Sequence, residues 1–195
     1  APELVGRGVY YGSSATQAES CGGDHVIIVG GANSAGQAAV FLSRFADKVT
    51  LAVRGDSLDK SMSSYLIEQI ASLPNIEVRL NTSVESCAGE DRLQCVTLVD
   101  RDGGQQVVDC GHLFVFIGAA PLTDWLPASV VRDPSGFVVT GPDLTVGGHR
   151  PASWDLERDP YLLESSIPGV FVAGDVRSQS VKRVASAVGE GALAV

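Results

Sequence analysis

The stretch HVIIVGGANSAGQAAVFLSRFADKVTLAV, residues 25–53, decides the fold of this chain. It opens with a continuous apolar run, 25–29, of the kind that forms a strand buried on both faces of a parallel sheet. A second apolar run, 49–53, has the same character. Between them, apolar side chains recur at helical spacing from Ala35 onward, at Ala38, Ala39, Leu42, Phe45 and Ala46. Strand, helix and strand within about 30 residues predict a βαβ unit.

A glycine-rich loop joins the first strand to the helix, and we expect Asn33 or Ser34 to cap that helix. In a GxGxxA loop the first glycine permits a tight turn, and the second lets the backbone approach a pyrophosphate. The N–H groups at the helix start then hold the phosphates. The loop therefore predicts a dinucleotide site, with a purely structural strand–helix turn as the alternative. Its residues are Gly30, Gly31, Ala32, Asn33, Ser34 and Ala35, so Ala32 replaces the second glycine.

The end of the second strand predicts which nicotinamide coenzyme binds. An acid there hydrogen-bonds the ribose 2′-hydroxyl of NAD, whereas an arginine accommodates the 2′-phosphate of NADP. This chain has Val53 followed by Arg54, which favours NADP(H). Asp56 and Asp59 lie close in sequence and dilute the positive field, so a solvated surface arginine is the alternative.

The remaining pattern predicts a further helix, more strands and a second domain. An amphipathic helix over 62–73 must end before Pro74, and a strand follows at 76–80. Glycine turns between 82 and 110 indicate an antiparallel meander, and 112–117 is a buried strand that ends at Gly118. We place the domain boundary there, giving domains 1–117 and 118–195.

A last signal lies near the C terminus, where 169–173 predicts a strand that leads into Gly174 and Asp175. A helix is expected from about Val181. A carboxylate at a strand end beside a helix N-terminus can accept the hydroxyls of a polyol. Capping of the helix is the alternative role for Asp175.

Composition limits the class of partner. The 195 residues are 45% hydrophobic and 19% charged with 22 glycines, as in a soluble α/β protein. The net charge of −9 argues against nucleic acid, because affinity for its phosphates needs clustered Lys and Arg. No apolar run approaches the roughly 18–20 residues of a membrane span, so no membrane partner is expected.

The cysteines indicate a reducing compartment. They fall in no CxxC or zinc-ligand spacing, so no metal site is expected, and we interpret them as free thiols of a cytoplasmic protein. They are Cys21, Cys87, Cys95 and Cys110. The chain starts without Met and stops within a helical pattern, so we expect both ends to continue in a longer protein.

The loops at Gly30, Arg54 and Gly174, in this order, resemble those of the low-molecular-weight thioredoxin reductases. These are FAD- and NAD(P)H-dependent pyridine nucleotide-disulfide oxidoreductases. The matching stretches cover nearly the whole chain: GRGVYY at 6–11, residues 29–54, FIGAAPLTDWL at 116–126 and PGVFVAGDVRSQSVKRVASAVGEGA at 168–192.

The resemblance implies an α/β fold in two parts. The first is a three-layer, Rossmann-like NAD(P)H domain with an antiparallel meander. The second is the C-terminal part of a Rossmann-like FAD domain, to which the chain would return at Gly118. Asp175 would meet the FAD ribitol there, and the flavin-ring end of the last helix would carry Lys182, Arg183 and Val184. The loop for the ADP half of FAD is expected upstream of Ala1.

Two departures from the family bear on function. In the reductases GRGVSY precedes CATC, whereas here Gly12 and Ala15 replace both cysteines. A thiolate is what attacks a disulfide, so Ser13 or Ser14 cannot replace it in that cycle. The arginine cluster after the second strand is also thinned to Arg54.

These features favour a flavin-dependent NAD(P)H oxidoreductase. Hydride would pass from NADPH to FAD and on to an unidentified acceptor, such as a redox protein, without an internal CxxC. A redox-inactive module that senses nucleotides or binds a partner is the alternative from another class. A third interpretation is a thioredoxin reductase that uses cysteines outside this chain. The family resemblance also allows a homodimer.

Overall fold

A computed structural model describes residues 2–12 and 15–195. The chain divides into two compact units, one ending at Gly118 and the other beginning at Ala119. Among the described residues, no helix is both long enough and apolar enough to cross a membrane.

The first unit is built on a five-stranded parallel sheet. Its strand order is β1-β8-β2-β3-β4, so β2 lies at the centre between β8 and β3. The predicted βαβ unit is confirmed. The strands are β1 (Val9–Tyr11), β2 (His25–Val29), β3 (Lys48–Ala52), β4 (Ile76–Arg79) and β8 (His112–Val115).

Different layers cover the two faces of this sheet. Because side chains alternate along a strand, Val26 and Ile28 of β2 face one core, whereas Ile27 faces the other. The first core holds α2 (Asn33–Leu42) and α3 (Ser64–Ser72), and the short α1 (Ala15–Glu19) contributes Ala18 to it.

The second core packs against an antiparallel meander, as the glycine turns predict. Its strands are β5 (Thr82–Ala88), β6 (Cys95–Asp100) and β7 (Gln105–Asp109). From the meander and its connecting loop, Leu93, Val96 and Leu98 are the side chains most deeply buried in this core. The first unit is thus an α/β fold with helices, parallel sheet and meander in three layers.

The start of α2 differs from the prediction. Ala32 is the N-cap residue, and no side chain caps the helix. The Asn33 side chain instead accepts a hydrogen bond from the backbone N–H of Ser63 at 2.8 Å, so it contributes to a contact between loops. The helix also ends at Leu42, and Phe45 and Ala46 lie beyond it.

The second unit contains turns and one long helix, α4 (Val184–Leu193). The predicted strand 169–173 is wrong. Phe171 forms only an isolated antiparallel bridge with Glu164, since no neighbouring strand pairs with this stretch in 119–195. The helix also begins at Val184, later than expected, with Arg183 as an N-cap residue that offers no capping side-chain bond.

A buried carboxylate holds the turns of the second unit together. Glu164 is fully buried and accepts a bidentate pair from Arg158, at 2.6 and 2.8 Å. It also accepts the backbone N–H groups of Tyr161 and Gly169. These donors lower the pKa of Glu164 to about 2. A buried charge with this many partners is one that the fold can tolerate.

His112 occupies an unusual position at the amino end of β8. Its ring stacks on Tyr10 and Phe114, and its Nε2 lies 3.2 Å from the Ser20 hydroxyl. That hydroxyl already donates to the carbonyl of Gln17 at 2.7 Å, so the imidazole is the donor. Nδ1 lies 3.1 Å from Asp24 Oδ2 without a well-aligned hydrogen bond. Ser20 is therefore an acceptor here and not an activated nucleophile.

Burial lowers the pKa of His112 below its ordinary value of 6.5, against the opposing effect of Asp24 and together with that of Arg92. Such a histidine binds fewer protons when folded. Its contribution to the free energy of unfolding is therefore complete well above pH 6.5 and is lost as the pH falls through 6.5 towards the lower pKa of the folded state. His25 acts in the same direction, because burial lowers its pKa as well.

We expect the free energy of unfolding to fall between about pH 7.5 and pH 5.5, and to fall less steeply in His112→Phe. Phenylalanine suits the aromatic stack and has no proton to bind. Urea unfolding at several pH values measures this difference. Equal slopes for both proteins would contradict the assignment. Glu77, Glu164 and Glu190, whose pKa values are each about 2, affect only the more acidic range below 4.5.

Candidate functional site

The glycine loop lies at the carboxyl end of the central strand β2. Gly30 has φ 144°, in a region that favours glycine, and a Cβ there would lie 2.5 Å from the carbonyl oxygen of Phe116. Its N–H donates to Ala52 on β3 at 3.1 Å. Gly30 thus turns the chain within the narrow space between the neighbouring strands.

The rest of the loop is held by the segment that precedes α3. A Cβ on Gly31 would lie 2.9 Å from the Val53 side chain, and its carbonyl accepts the Ser61 hydroxyl at 2.8 Å. Asn33 is held by Ser63, as described above. Two serines thus fix a loop about 30 residues away in sequence, and the sequence pattern did not predict either contact.

The helix start leaves backbone donors free. The first bond of α2 runs from Gly36 N to Ala32 O at 3.1 Å, so Asn33, Ser34 and Ala35 have no intrahelical acceptor for their N–H groups. Ala32 and Asn33 are exposed, Ser34 is half-buried, and Ala35 is buried under the helix. Free N–H groups at a helix N-terminus can hold an anion.

Arg54 lies beside a cleft of about 370 Å³ within the first unit. The cleft is formed by the loop after β3, the start of β5 and the turn between β6 and β7. Thr82 N donates to Val53 O and Asn81 N to Gly55 O, both at 2.9 Å, which joins the meander to the Arg54 loop. The lining residues are Arg54, Gly55, Asp56, Asn81, Thr82, Ser83, Asp100 and Arg101.

Gly174 and Asp175 lie in the second unit, in a 3₁₀ turn, Gly174–Val176. Glu190 of α4 holds this turn: its carboxylate accepts the Gly174 N–H at 2.7 Å, the Arg177 guanidinium and the Ser180 hydroxyl. Arg177 is the main cause of a Glu190 pKa of about 2. Asp175 remains exposed and caps neither this turn nor α4, so the capping alternative is wrong.

The structure brings the other residues predicted in this unit to the same place. A cleft of about 470 Å³ is lined by Asp175, Lys182, Arg183, Val184, Ala187 and Val188. Lys182 Nζ lies 4.0 Å from the centre of the Phe137 ring, a cation–π contact. Gly118, another residue predicted to bind a cofactor, is exposed and is the last residue of the first unit.

Gly12 and Ala15, which stand where the resemblance implies two cysteines, lie just after the end of β1 and at the start of α1. Ser13 and Ser14 lie outside the described residues. Two of the cysteines are poor nucleophiles. Burial raises the pKa of Cys21 to about 11 and that of Cys110 to about 12, so both are thiols at neutral pH.

Comparison with known proteins assigns the family. The model of the pyridine nucleotide-disulphide oxidoreductases matches residues 3–191. The chain belongs to this family. Among its relatives, the thioredoxin reductase of Treponema pallidum is 32% identical over 198 residues, and that of Mycoplasmopsis pulmonis is 30% identical over 192 residues. Each match covers 98% of this chain and 55% of the relative.

Solved structures support the same family. The thioredoxin reductase of T. acidophilum is 26% identical, with a TM-score of 0.74 over 99% of this chain and 57% of that one. The Lactococcus lactis enzyme, at 22% identity and a TM-score of 0.75, shows the shared fold. The chain spans about half the length of the curated relatives it matches.

Proposed function

We propose that this chain is the coenzyme-binding part of a flavin-dependent NAD(P)H oxidoreductase that resembles thioredoxin reductase but lacks its CxxC. The observation that carries the proposal is the glycine loop, where free helix N–H groups adjoin the carboxyl end of a central parallel strand. This is where dinucleotides bind in such sheets. Membership of the pyridine nucleotide-disulphide oxidoreductases supports the same chemistry.

Each residue group has a distinct role in this proposal. Gly30, Gly31 and the N–H groups of Asn33, Ser34 and Ala35 hold the pyrophosphate of NADP(H), and Arg54 pairs with its 2′-phosphate. Asp175 accepts hydroxyls of the FAD ribitol, and Lys182 and Arg183 supply positive charge at the start of α4. Hydride transfer from the nicotinamide to the flavin is chemistry that the two coenzymes supply when bound.

The residues of the second unit fit a polyol with an adjacent polar ring. Asp175 is exposed in the cleft, and its carboxylate forms no hydrogen bond or ion pair with any described residue. Glu190 fixes the backbone next to it, so the acid is presented from an ordered turn. This arrangement supports, within the same proposal, a place for the flavin half of FAD.

A redox-inactive nucleotide-sensing module is the second candidate, favoured by the replacement of both CxxC cysteines. Adding NADPH anaerobically to the full-length protein distinguishes the two. An oxidoreductase loses the absorbance of its oxidised flavin and regains it with an artificial acceptor or a redox partner protein. Persistent flavin colour in the presence of bound NADPH would contradict the oxidoreductase and favour the sensor.

Arg54 should determine the coenzyme preference. We expect calorimetric titration of the 195-residue chain to show tighter binding of NADP⁺ than of NAD⁺. Arg54→Ala should remove about 1.5–3 kcal/mol of NADP⁺ affinity, the range of a hydrogen bond to a charged group, and leave NAD⁺ unaffected. Unchanged relative affinities would remove Arg54 from the site.

Ala32 should weaken binding through its methyl group. Its φ of −100° and ψ of 176° suit any residue, so Ala32→Gly leaves the turn intact and exposes the backbone that a pyrophosphate approaches. We expect a gain of about 1 kcal/mol in NADP⁺ affinity. Ala71→Gly, at an exposed position of α3, is the matched control and should not change binding. Weaker binding in Ala32→Gly would show that the loop needs the alanine.

A further inference from the structure

The turn between β6 and β7 brings a second arginine to the cleft that Arg54 lines. Arg101 follows Asp100 at the end of β6, 47 positions beyond Arg54 in the numbering, and both residues line the same cleft. The backbone bonds from Asn81 and Thr82 to the Arg54 loop fix the meander beside it. The two arginines are therefore linked through β5, whose start bonds to the Arg54 loop and whose Thr82 pairs with Asp100 at the end of β6.

Neither guanidinium is neutralised within the described chain. Arg54 and Arg101 are exposed, and neither forms a hydrogen bond or an ion pair with another described residue. By contrast, Lys48 and Lys60 form ion pairs with Glu77 and Asp56. Two unpaired cations at one cleft favour an anionic occupant.

The two acids of the cleft are already engaged. Asp56 pairs with Lys60 at 2.7 Å, and this contact lowers the pKa of Asp56. Asp100 accepts the backbone N–H groups of Asp102 and Gly104, at 3.0 and 2.8 Å, and so closes its own turn. Each acid is thus held by a partner in its own loop, and neither pairs with Arg54 or Arg101.

The neutral side chains of the cleft suit a sugar. Asn81 and Ser83 are half-buried, and their side chains form no hydrogen bond with described residues. Asn81 has φ 51°, a conformation that asparagine tolerates better than most residues. Amide and hydroxyl groups beside two guanidinium groups match a phosphorylated ribose, because arginine binds phosphate through paired hydrogen bonds.

We propose that Arg101 is a second determinant of coenzyme specificity, which binds the 2′-phosphate of NADP(H) together with Arg54. The proposal rests on the proposed function, in that the chain must bind a nicotinamide coenzyme. It assigns the meander a role in choosing the coenzyme. After the second strand of the βαβ unit this chain keeps only Arg54 of the arginine cluster that the resemblance implies. Arg101, from the turn between β6 and β7, would supply a second positive charge for the 2′-phosphate.

Titration of the 195-residue chain with NADP⁺ and with NAD⁺ tests the proposal. Arg101→Ala should weaken NADP⁺ binding about tenfold and leave NAD⁺ binding unchanged, as expected from the loss of one hydrogen bond to a charged group. Arg101→Lys keeps the charge without the paired donors, so it should lie between wild type and Arg101→Ala. Arg44→Ala removes the same charge from an exposed turn outside the cleft and should bind both coenzymes as wild type does.

The outcomes distinguish the role of Arg101 from the proposed function itself. Wild type that prefers NADP⁺, with the same preference in Arg101→Ala, overturns the role of Arg101 alone. Equal weakening of both coenzymes also overturns it, since the residue would then support the fold or the common part of the ligand. Wild type that binds neither coenzyme overturns the proposed function, and this inference with it.

Discussion

The tight turn at Gly30 is the constraint on which the rest of the site depends. The first unit places β8 and β3 on either side of β2, so the chain leaving β2 must pass between the ends of both neighbours. Even one methyl group at residue 30 would collide with the backbone of Phe116, and backbone cannot move aside as a flexible side chain can. Only because the chain turns here can α2 begin directly above the strand end, with its free N–H groups at the edge where a phosphate can approach.

The meander extends that arrangement to a second face of the sheet. A helix in its place would also cover the sheet. A β-turn, however, extends beyond the ends of the two strands that it joins. The turn between β6 and β7 can therefore reach the loop after β3 while Val96 and Leu98 remain buried against the sheet. The meander therefore both packs on the core and carries polar residues to the cleft beside Arg54.

The sequence predicts those parts of the fold that local pattern determines. The run at 25–29 and the helical spacing after it are both local, and so are the glycine turns of the meander. The stretch 169–173 is as apolar as a strand. A strand also needs a neighbouring strand to pair with, and the apolar pattern of one stretch does not show whether such a neighbour exists. The start of α4 was misplaced because no Ser, Thr, Asp or Asn caps it, so the usual boundary signal is missing. Ser61, Ser63 and Arg101 reach the candidate site only through tertiary contacts, and their types are common on any surface.

A net charge of −9 does not prevent this chain from having local positive charge, because the charges are unevenly distributed. Electrostatic attraction depends on the charges within about a Debye length of the ligand, roughly 8–10 Å at physiological salt, more than on the total. Several acids here are offset by their own partners: Glu164 by Arg158, Glu190 by Arg177, and Asp56 by Lys60. Each of these pairs leaves little field at a distance, so the field at the cleft depends mainly on Arg54, Arg101 and the acids beside them. The positive charge of the two unpaired arginines is therefore local to the cleft, which is where our proposal places a single phosphate.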